Sequence, residues 1–426
     1  MGRAFLTADL PPPNRVGLSF GGHVTKEESM SRDTGGMATG HRGVSVTLFL
    51  CLFAAQAALI VMSPVLVEAA NELDVSTATA GQLRTVTGLA AAVAALTLGP
   101  RAARFALARQ LVIASTLLAA GSAASAAAPN FAVLLCAQVP VGAAVGVLTT
   151  AATLATAEWV APELRARVLS WALIGQPAAW IVGMPLIGLL GGISWRLGWL
   201  VLPLVAAIAA VVLVARRPAS PAAGADRAPI RQVLGDATLA TWLAAEVAAN
   251  GAWAGTLVYA GALFAESYRI STGETGLLLA VAAGAYVAGN LASRTLVRVE
   301  ARGLLVAFSL LLAASDAAFG VARLGVAIST LLFSAAAFLA GGRTLVSSVF
   351  ALSRSPELRP TVTSLRAATM QLGYFVGSSA GGAALAAGGY GALGVAMGLC
   401  FGASALALVR RPLRARGAPA LSGADG

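Results

Sequence analysis

Long apolar runs, separated by short polar stretches, follow one another along the chain from residue 44 to residue 410. A helix that crosses the hydrocarbon core of a bilayer needs about 20 predominantly apolar residues, and these runs have that length. The pattern therefore predicts twelve membrane-spanning helices. Their spans are 45–68, 78–98, 107–127, 131–155, 168–190, 196–215, 238–264, 275–296, 302–321, 325–346, 362–386 and 389–409.

The composition supports the same fold class. Hydrophobic residues make up 58% of the 426 residues and charged residues only 11%. A soluble domain could not bury this much apolar surface in its core, so lipid must cover the excess. We expect an all-α membrane protein.

An internal repeat divides the predicted helices into two sets. The motif Pro-Glu-Leu-Arg occurs at 162–165 and again at 356–359, an offset of 194 residues. The same offset relates glycines of the helices that follow, Gly183 to Gly377 and Gly188 to Gly382. A duplication on this scale predicts two pseudo-symmetric six-helix bundles.

The domain boundaries follow from the polar stretches. Residues 1–43 are polar and rich in Pro and Gly, and we expect a disordered cytoplasmic tail there. The N-terminal bundle is predicted at 44–215 and the C-terminal bundle at 238–410. Between them, 216–237 contains Arg-Arg-Pro and further prolines, which predicts a cytoplasmic linker. A second cytoplasmic tail is expected at 411–426.

Basic residues are concentrated on one predicted side of the membrane. The tails and inner loops hold 25 of the 29 Lys and Arg residues, counting four between 343 and 366. Arg84, Arg196, Arg269 and Arg323 fall on the outer side, and Arg84 is expected to pair with a nearby outer acid such as Glu68 or Glu72. This distribution predicts cytoplasmic termini in a multi-pass protein of the plasma or inner membrane, rather than nucleic-acid binding.

The sequence offers few residues that could carry out enzymatic chemistry or bind a metal ion. The only histidines, His23 and His41, lie in the predicted tail, and the three cysteines lack close-spaced partners. No Gly-rich phosphate loop of the Walker type occurs. We expect no catalytic residues, no metal and no cofactor.

Several local motifs resemble the major facilitator superfamily. The loop after the second span has Gly99, Arg104 and Arg109, and Arg294 lies in the matching place of the second half. The run Gly183-Met-Pro185-Leu-Ile-Gly188 is similar to the 12-helix drug:proton antiporters of type 1 and sugar-efflux proteins. The resemblance covers residues 44–412 and implies a transporter that works by alternating access.

The resemblance also implies an inner gate. Gly99, Arg104, Arg109 and Arg294 would belong to it, and Arg104 would pair with Glu158 at the inner end of the fourth span. Two unpaired interfacial charges are the alternative. Ala103 replaces the usual aspartate of the motif, so one charged tether should be missing and inward closure weaker.

Small residues and prolines predict close packing and bends. Gly373, Gly377 and Gly381 place a smooth stripe on one face of the eleventh span, where another helix backbone can approach. Gly183, Pro185 and Gly188 have the corresponding place on the fifth span. Prolines within spans remove backbone donors and bend helices.

Glu246 is the ionisable residue deepest in a predicted span. A charge at mid-bilayer costs at least about 2.5 kcal/mol and persists only with a partner or a task. Asn250 and Trp253 follow on the same helical face. Burial favours a protonated carboxyl, so Glu246 is a candidate proton carrier, with a structural hydrogen-bonding role as the alternative. Asp316 is the weaker candidate, expected to pair with Arg323.

Polar groups expected in a central cavity are those of Gln56, Gln138, Glu246, Asn250, Trp253 and Tyr259. Gln138 stands where many antiporters of the superfamily carry an arginine, and a neutral amide cannot tune the pKa of a carboxylate as a fixed cation would. The sequence predicts a monomeric exporter of a small, moderately apolar solute such as a drug, sugar or metabolite, exchanged for protons. A facilitator or importer of the same fold, and a solute receptor that does not transport, remain alternatives.

Overall fold

All twelve predicted spans lie on helices in the computed structural model, which describes residues 24–102, 106–215, 230–353 and 357–410 and contains no strand among them. The helices are α1 (Val24–Ile60), α2 (Met62–Glu72), α3 (Thr77–Ala80), α4 (Gln82–Ala102), α5 (Leu107–Ala126), α6 (Phe131–Trp159), α7 (Pro162–Leu173), α8 (Gly175–Gly191), α9 (Trp195–Trp199), α10 (Val205–Ala215), α11 (Ile230–Gly235), α12 (Ala237–Tyr268), α13 (Thr272–Ala292), α14 (Ala301–Val321), α15 (Val326–Leu352) and α16 (Arg359–Arg410). A π-helical turn (Leu200–Leu204) precedes α10, and a 3₁₀ helix (Ser293–Arg298) follows α13.

The helix lengths fit a multi-pass membrane protein. Ten helical runs of the described residues are long and apolar enough to cross a bilayer. One of them, Thr361–Arg410, is long enough to cross twice, and α16 breaks at Gly388 and Gly389. Gly389 has φ 66°, which a residue without a Cβ adopts at no steric cost. The break separates the eleventh predicted span from the twelfth.

The first predicted span, 45–68, is two helices rather than one. α1 ends at Ile60, α2 begins at Met62, and Val65 departs from helical geometry with φ −112° and ψ 15°. Pro64 has no N–H to donate to the carbonyl group one turn earlier, which explains an interruption here. The second span is likewise divided, at Gly81, into α3 and α4.

The segments outside the spans differ in part from expectation. α1 begins at Val24, inside the predicted tail 1–43. The end of the predicted linker carries α11, while residues 216–229 and the tail 411–426 lie outside the described residues. The division into two bundles at the linker stays a prediction.

Helix packing follows the internal repeat. α4 and α5 pack on α6, and in the second half α12 and α14 pack on α16 and α13 packs on α15. Between the halves, α8 packs on α13, α4 on α16 and α2 on α12. In the repeat, α8 corresponds to the first part of α16, and α4 corresponds to α13. The contact of α8 with α13 and the contact of α4 with α16 are therefore equivalent, as a twofold rotation requires.

Individual glycine contacts obey the same exchange. A Cβ at Gly188 would lie 2.7 Å from the Thr272 carbonyl oxygen and 2.9 Å from the Gly276 Cα. By the offset of 194 residues, Gly188 corresponds to Gly382, Thr272 to Ala78 and Gly276 to Gln82. Gly382 indeed faces the Ala78 carbonyl and the Gln82 side chain. The halves therefore meet through two equivalent contacts.

Candidate functional site

A cavity lies between the two halves of the chain. Its empty volume is about 610 Å³, including the space at its open side. The walls are mainly apolar, with Trp180, Trp199 and Tyr374 as aromatic members and a small set of polar side chains. These polar side chains are Gln56, Ser63, Arg84, Thr87 and Gln138. Ligand sites of proteins have this mixture of apolar walls and a few polar groups.

The interruption between α1 and α2 lies on the cavity wall. Ile60, Met62 and Ser63 all line the cavity, on either side of the point where regular helix stops. The hydroxyl of Ser63 donates to the carbonyl oxygen of Leu257 on α12, another lining residue, at 2.5 Å. This contact joins the two halves directly at the cavity.

Gln138 lines the cavity as predicted, but its amide is already bound within the protein. Its Oε1 accepts a hydrogen bond from Thr87 at 3.1 Å, and its Nε2 donates to Ser125 at 3.0 Å and to the Leu134 carbonyl at 3.3 Å. Gln138 thus joins α4, α5 and α6. Gln56 also lines the cavity, as predicted.

Arg84 lines the cavity as well, which the sequence did not predict. Its guanidinium lies over the ring of Tyr374, 4.4 Å from the centroid. The expected pairing with an outer acid is wrong, because Glu72 binds Arg196 and the indole N–H of Trp195 instead. Sequence proximity failed here because the helical turn of α4 directs Arg84 toward α16.

The other predicted cavity residues lie elsewhere. Asn250 donates to the backbone carbonyl of Glu246 at 2.8 Å. Trp253 is stacked between Trp180 and Phe333, with ring centroids 6.4 Å and 6.0 Å away. It therefore supports the wall behind Trp180.

Tyr259, also predicted for the cavity, takes part in a closure at the predicted outer side. Its hydroxyl donates to the carbonyl groups of Ala78 and Ser378, both at 3.3 Å. Thr77 donates to Glu266 at 2.5 Å, and Thr272 donates to Glu68. Hydrogen bonds thus tie α3 and α2 of the first half to the second half.

Glu246 forms a buried ionic cluster. Arg343 Nη1 lies 2.7 Å from Glu246 Oε1, and Arg366 Nε lies 3.5 Å from Oε2. Arg343 also donates to Ser309 at 3.0 Å and to Ser404 at 3.1 Å. The Glu246 and Arg343 side chains are only 1% and 6% exposed, whereas Arg366 is 21% exposed. Two cations therefore compensate one carboxylate. Glu246 is not among the residues that line the cavity described above.

Both arginines were missed as partners because they lie near the predicted ends of spans and were counted with an inner loop. In the structure Arg343 is inside α15 and Arg366 inside α16. The available signal was that one carboxylate and two arginines fall within three separate predicted spans, 238–264, 325–346 and 362–386.

Asp316 is fully buried on α14. Its Oδ2 accepts a hydrogen bond from Thr256 at 2.7 Å, and its Oδ1 has no hydrogen-bond partner among the described residues. The expected pairing with Arg323 is wrong, since Arg323 lies over the ring of Tyr390, 5.5 Å from the centroid. Arg323 follows the end of α14, so it leaves the helix face that carries Asp316.

The predicted inner gate is only partly described. Arg104 lies outside the described residues, as does the Gly99 environment, whereas Arg109 on α5 and Arg294 are exposed. Glu158, next to the end of α6, is partly buried, and its Oε1 has no hydrogen-bond partner among the described residues. Burial raises the pKa of the Glu158 carboxyl. The pairing of Arg104 with Glu158 stays a prediction.

The predicted glycine stripe of α16 lies against α12. A Cβ at Gly373 would lie 2.8 Å from the Val247 carbonyl, and Gly377 touches the backbone of Gly251. Gly381 faces the Tyr259 ring. On the fifth span, Gly183 lies beside Ile60, while α8 continues through Pro185.

Among the described residues, no group of three or more His, Cys, Asp or Glu could hold a metal ion.

Comparison with known proteins identifies the family. The chain is similar to the crystal structure of a bacterial homologue of the human lysosomal transporter Spinster, in an inward-facing and unoccupied conformation, with TM-score 0.66 and 15% identity over 87% of this chain and 95% of the other. It is also similar to a D-xylose–proton symporter, with TM-score 0.65 and 17% identity over 85% and 96% of the two chains. Residues 48–341 match the Major Facilitator Superfamily. The chain therefore belongs to the Major Facilitator Superfamily and is a membrane transporter rather than an enzyme.

Proposed function

We propose that this transporter exports a small, moderately apolar organic solute by alternating access, in exchange for protons. The observation that carries the proposal is a central cavity between two repeats that meet through exchanged contacts, Gly188 with Gly276 and Gly382 with Gln82. Equivalent contacts can be released and remade as a pair when one half rotates against the other. The halves can thus expose the cavity to either side in turn.

The contacts described above favour an inward-facing state. Hydrogen bonds from Ser63, Thr77, Thr272 and Tyr259 join the halves at the predicted outer side. The Spinster homologue to which the chain is similar is also inward-facing and unoccupied. A solute would accordingly enter this conformation from the cytoplasm.

The cavity walls favour an organic solute with substantial apolar surface. Trp180, Trp199 and Leu66 line the cavity, and the amide of Gln138 is bound by the protein rather than free for the solute. Strongly hydrated solutes such as inorganic ions would lose more hydration here than these walls replace. Drugs and lipophilic metabolites fit better.

Glu246 is the proposed proton carrier, and its ion pairs define what the proton would do. Protonation removes the charge that holds Arg343 and Arg366, at 2.7 Å and 3.5 Å, on α15 and α16. Because α16 also packs on α4 of the other half, loss of this tie would favour movement between halves. A proton from outside would then drive the return of the emptied carrier and be released inside.

The test is transport in liposomes. Purified protein would be reconstituted, given an imposed pH gradient and screened against antibiotics, sugars and amino acids, comparing the wild type with Glu246→Gln. Asp316→Asn is the matched control for a second buried carboxyl. We expect solute to move against the proton flow in the wild type and in Asp316→Asn, and only down its own gradient in Glu246→Gln. Movement with the protons would establish import, and gradient-driven accumulation by Glu246→Gln would exclude Glu246 as carrier.

A further inference from the structure

Arg84 is a cation on the cavity wall that forms no ion pair with any carboxylate in the part of the chain that the structure describes. No described Asp or Glu oxygen lies within ion-pair distance of its guanidinium, although Tyr374 lies 4.4 Å below it. Its Nη1 is buried and has no hydrogen-bond partner among the described residues. An aromatic ring compensates a buried cation only in part, so this group retains capacity to bind an anion.

Two more donors on the same wall are also unsatisfied. The indole N–H groups of Trp180 and Trp199 are buried without a hydrogen-bond acceptor among the described residues, and both side chains line the cavity. The hydroxyl of Ser63 and the amide of Gln138, by contrast, are bound within the protein. Three residues of the cavity wall, Arg84, Trp180 and Trp199, therefore carry unsatisfied donors, and a solute that supplies acceptors could satisfy them.

We propose that the solute is an organic anion, with a carboxylate bound by Arg84 and an apolar body against the aromatic wall. This inference rests on the proposed function in taking the cavity as the solute site. A carboxylate can accept two parallel hydrogen bonds from one guanidinium, and exclusion of water strengthens the pair. The same site would discriminate against a neutral analogue of equal shape, because Arg84 would then stay without a counter-charge.

Binding to purified protein tests the proposal without any gradient. The probes are pairs with one carbon skeleton, each a carboxylate and its amide: benzoate and benzamide, indole-3-acetate and indole-3-acetamide, decanoate and decanamide. Their affinities would be measured from the shift of the unfolding temperature and from quenching of tryptophan fluorescence. The proteins are the wild type, Arg84→Gln and Arg323→Gln, the last a control in which a different arginine leaves an aromatic ring.

We expect at least one carboxylate to bind the wild type and Arg323→Gln at least tenfold more tightly than its amide, and Arg84→Gln to lose this preference. Arg84→Lys, which keeps the charge, should retain part of it and serves if Arg84→Gln does not fold. Equal binding of acid and amide, a preference that survives in Arg84→Gln, or no binding of any carboxylate would overturn the proposal. The proposal would also be overturned if phosphatidylglycerol, and none of the carboxylates, stabilised the protein through Arg84. Binding with no transport would contradict the proposed function instead.

Discussion

Ser63 and Leu257 touch each other, with 2.5 Å between the Ser63 hydroxyl and the Leu257 carbonyl oxygen, and they are 194 residues apart. That separation equals the offset of the internal repeat, so the two are equivalent positions. A twofold rotation brings equivalent positions into contact only close to its axis. The axis that relates the halves therefore passes beside the cavity, where α2 meets α12.

A side chain added at Gly276, where two helix backbones are in contact, should prevent the cavity from closing at its outer side. A Cβ there would lie 2.5 Å from the Met184 carbonyl oxygen and 3.0 Å from the Gly188 Cα. Overpacking of this kind costs about 1–3 kcal/mol, so Gly276→Val should favour the outward-facing state by about 5- to 150-fold. Alkylation of Met62→Cys on the cavity wall by an impermeant maleimide, in a background without native cysteines, would measure this.

Gly284→Val is the matched control, since it makes the same change on the same helix where no atom lies within 4 Å of the added Cβ. It should leave alkylation from outside unchanged. Equal rates in the two variants would show that the contact between α8 and α13 does not hold the cavity closed.

Breaking the ionic cluster should destabilise the protein strongly. Removing one member of a buried ion pair leaves an uncompensated charge and costs about 3–5 kcal/mol. We expect Glu246→Gln to lower the unfolding temperature because Arg343 stays buried, and Glu246→Gln combined with Arg343→Gln to recover part of the loss. Thermal unfolding of the detergent-purified protein measures both effects.

Glu72→Gln provides the comparison for that series. Its partner is Arg196, and their side chains are 50% and 27% exposed. An exposed pair contributes about 0–1 kcal/mol, so this change should be nearly silent. A larger effect at Glu72 than at Glu246 would contradict the importance given to burial.

The Glu158 carboxyl should make stability depend on pH. Burial raises its pKa above the ordinary value of 4.5, so the folded protein favours the protonated form. This contribution is complete below the ordinary value and is lost as pH rises through the higher pKa of the folded state. We expect Glu158→Gln to flatten the decline in unfolding temperature between pH 4.5 and neutrality. If the unfolding temperature of Glu158→Gln declined as steeply as that of the wild type, the pH dependence would come from other groups.

The predicted inner gate can be tested by exchanging charges. Arg104→Glu should disturb inward closure, and adding Glu158→Arg should restore it if the two side chains pair. The readout is alkylation of Met62→Cys from the cytoplasmic side. Failure of the second change to reverse the first would favour the alternative of two separate interfacial charges.

The sequence predicted the helices well because their signals are local. Apolar length located the spans, and the separation of 362–386 from 389–409 coincides with the break at Gly388 and Gly389. The family resemblance is also confirmed by the match over residues 48–341. The specific antiporter branch stays a prediction.

The site was harder to predict because it depends on how helices are rotated about their axes. Glu246 and Leu257 lie about three turns apart on one face of α12, and Leu257 lines the cavity whereas Glu246 is not among its lining residues. The apolar pattern, which surrounds α12 on all sides, does not show which turns of the helix meet the cavity. Partners such as Arg343 lie 97 residues from Glu246, and Tyr374 lies far from Arg84. Such pairs become visible only when the helices are assembled.

The central claim, that the two halves rock against each other around the cavity beside Ser63, is tested most directly by two distances measured in one preparation. Spin labels at exposed Thr79 and Arg269 report the predicted outer side, and labels at exposed Glu163 and Glu357, equivalent positions of the repeat, report the inner side. In nanodiscs, Gly276→Val should lengthen the outer distance and shorten the inner one, while Gly284→Val should change neither. An outer distance that lengthens while the inner one stays constant would contradict alternating access.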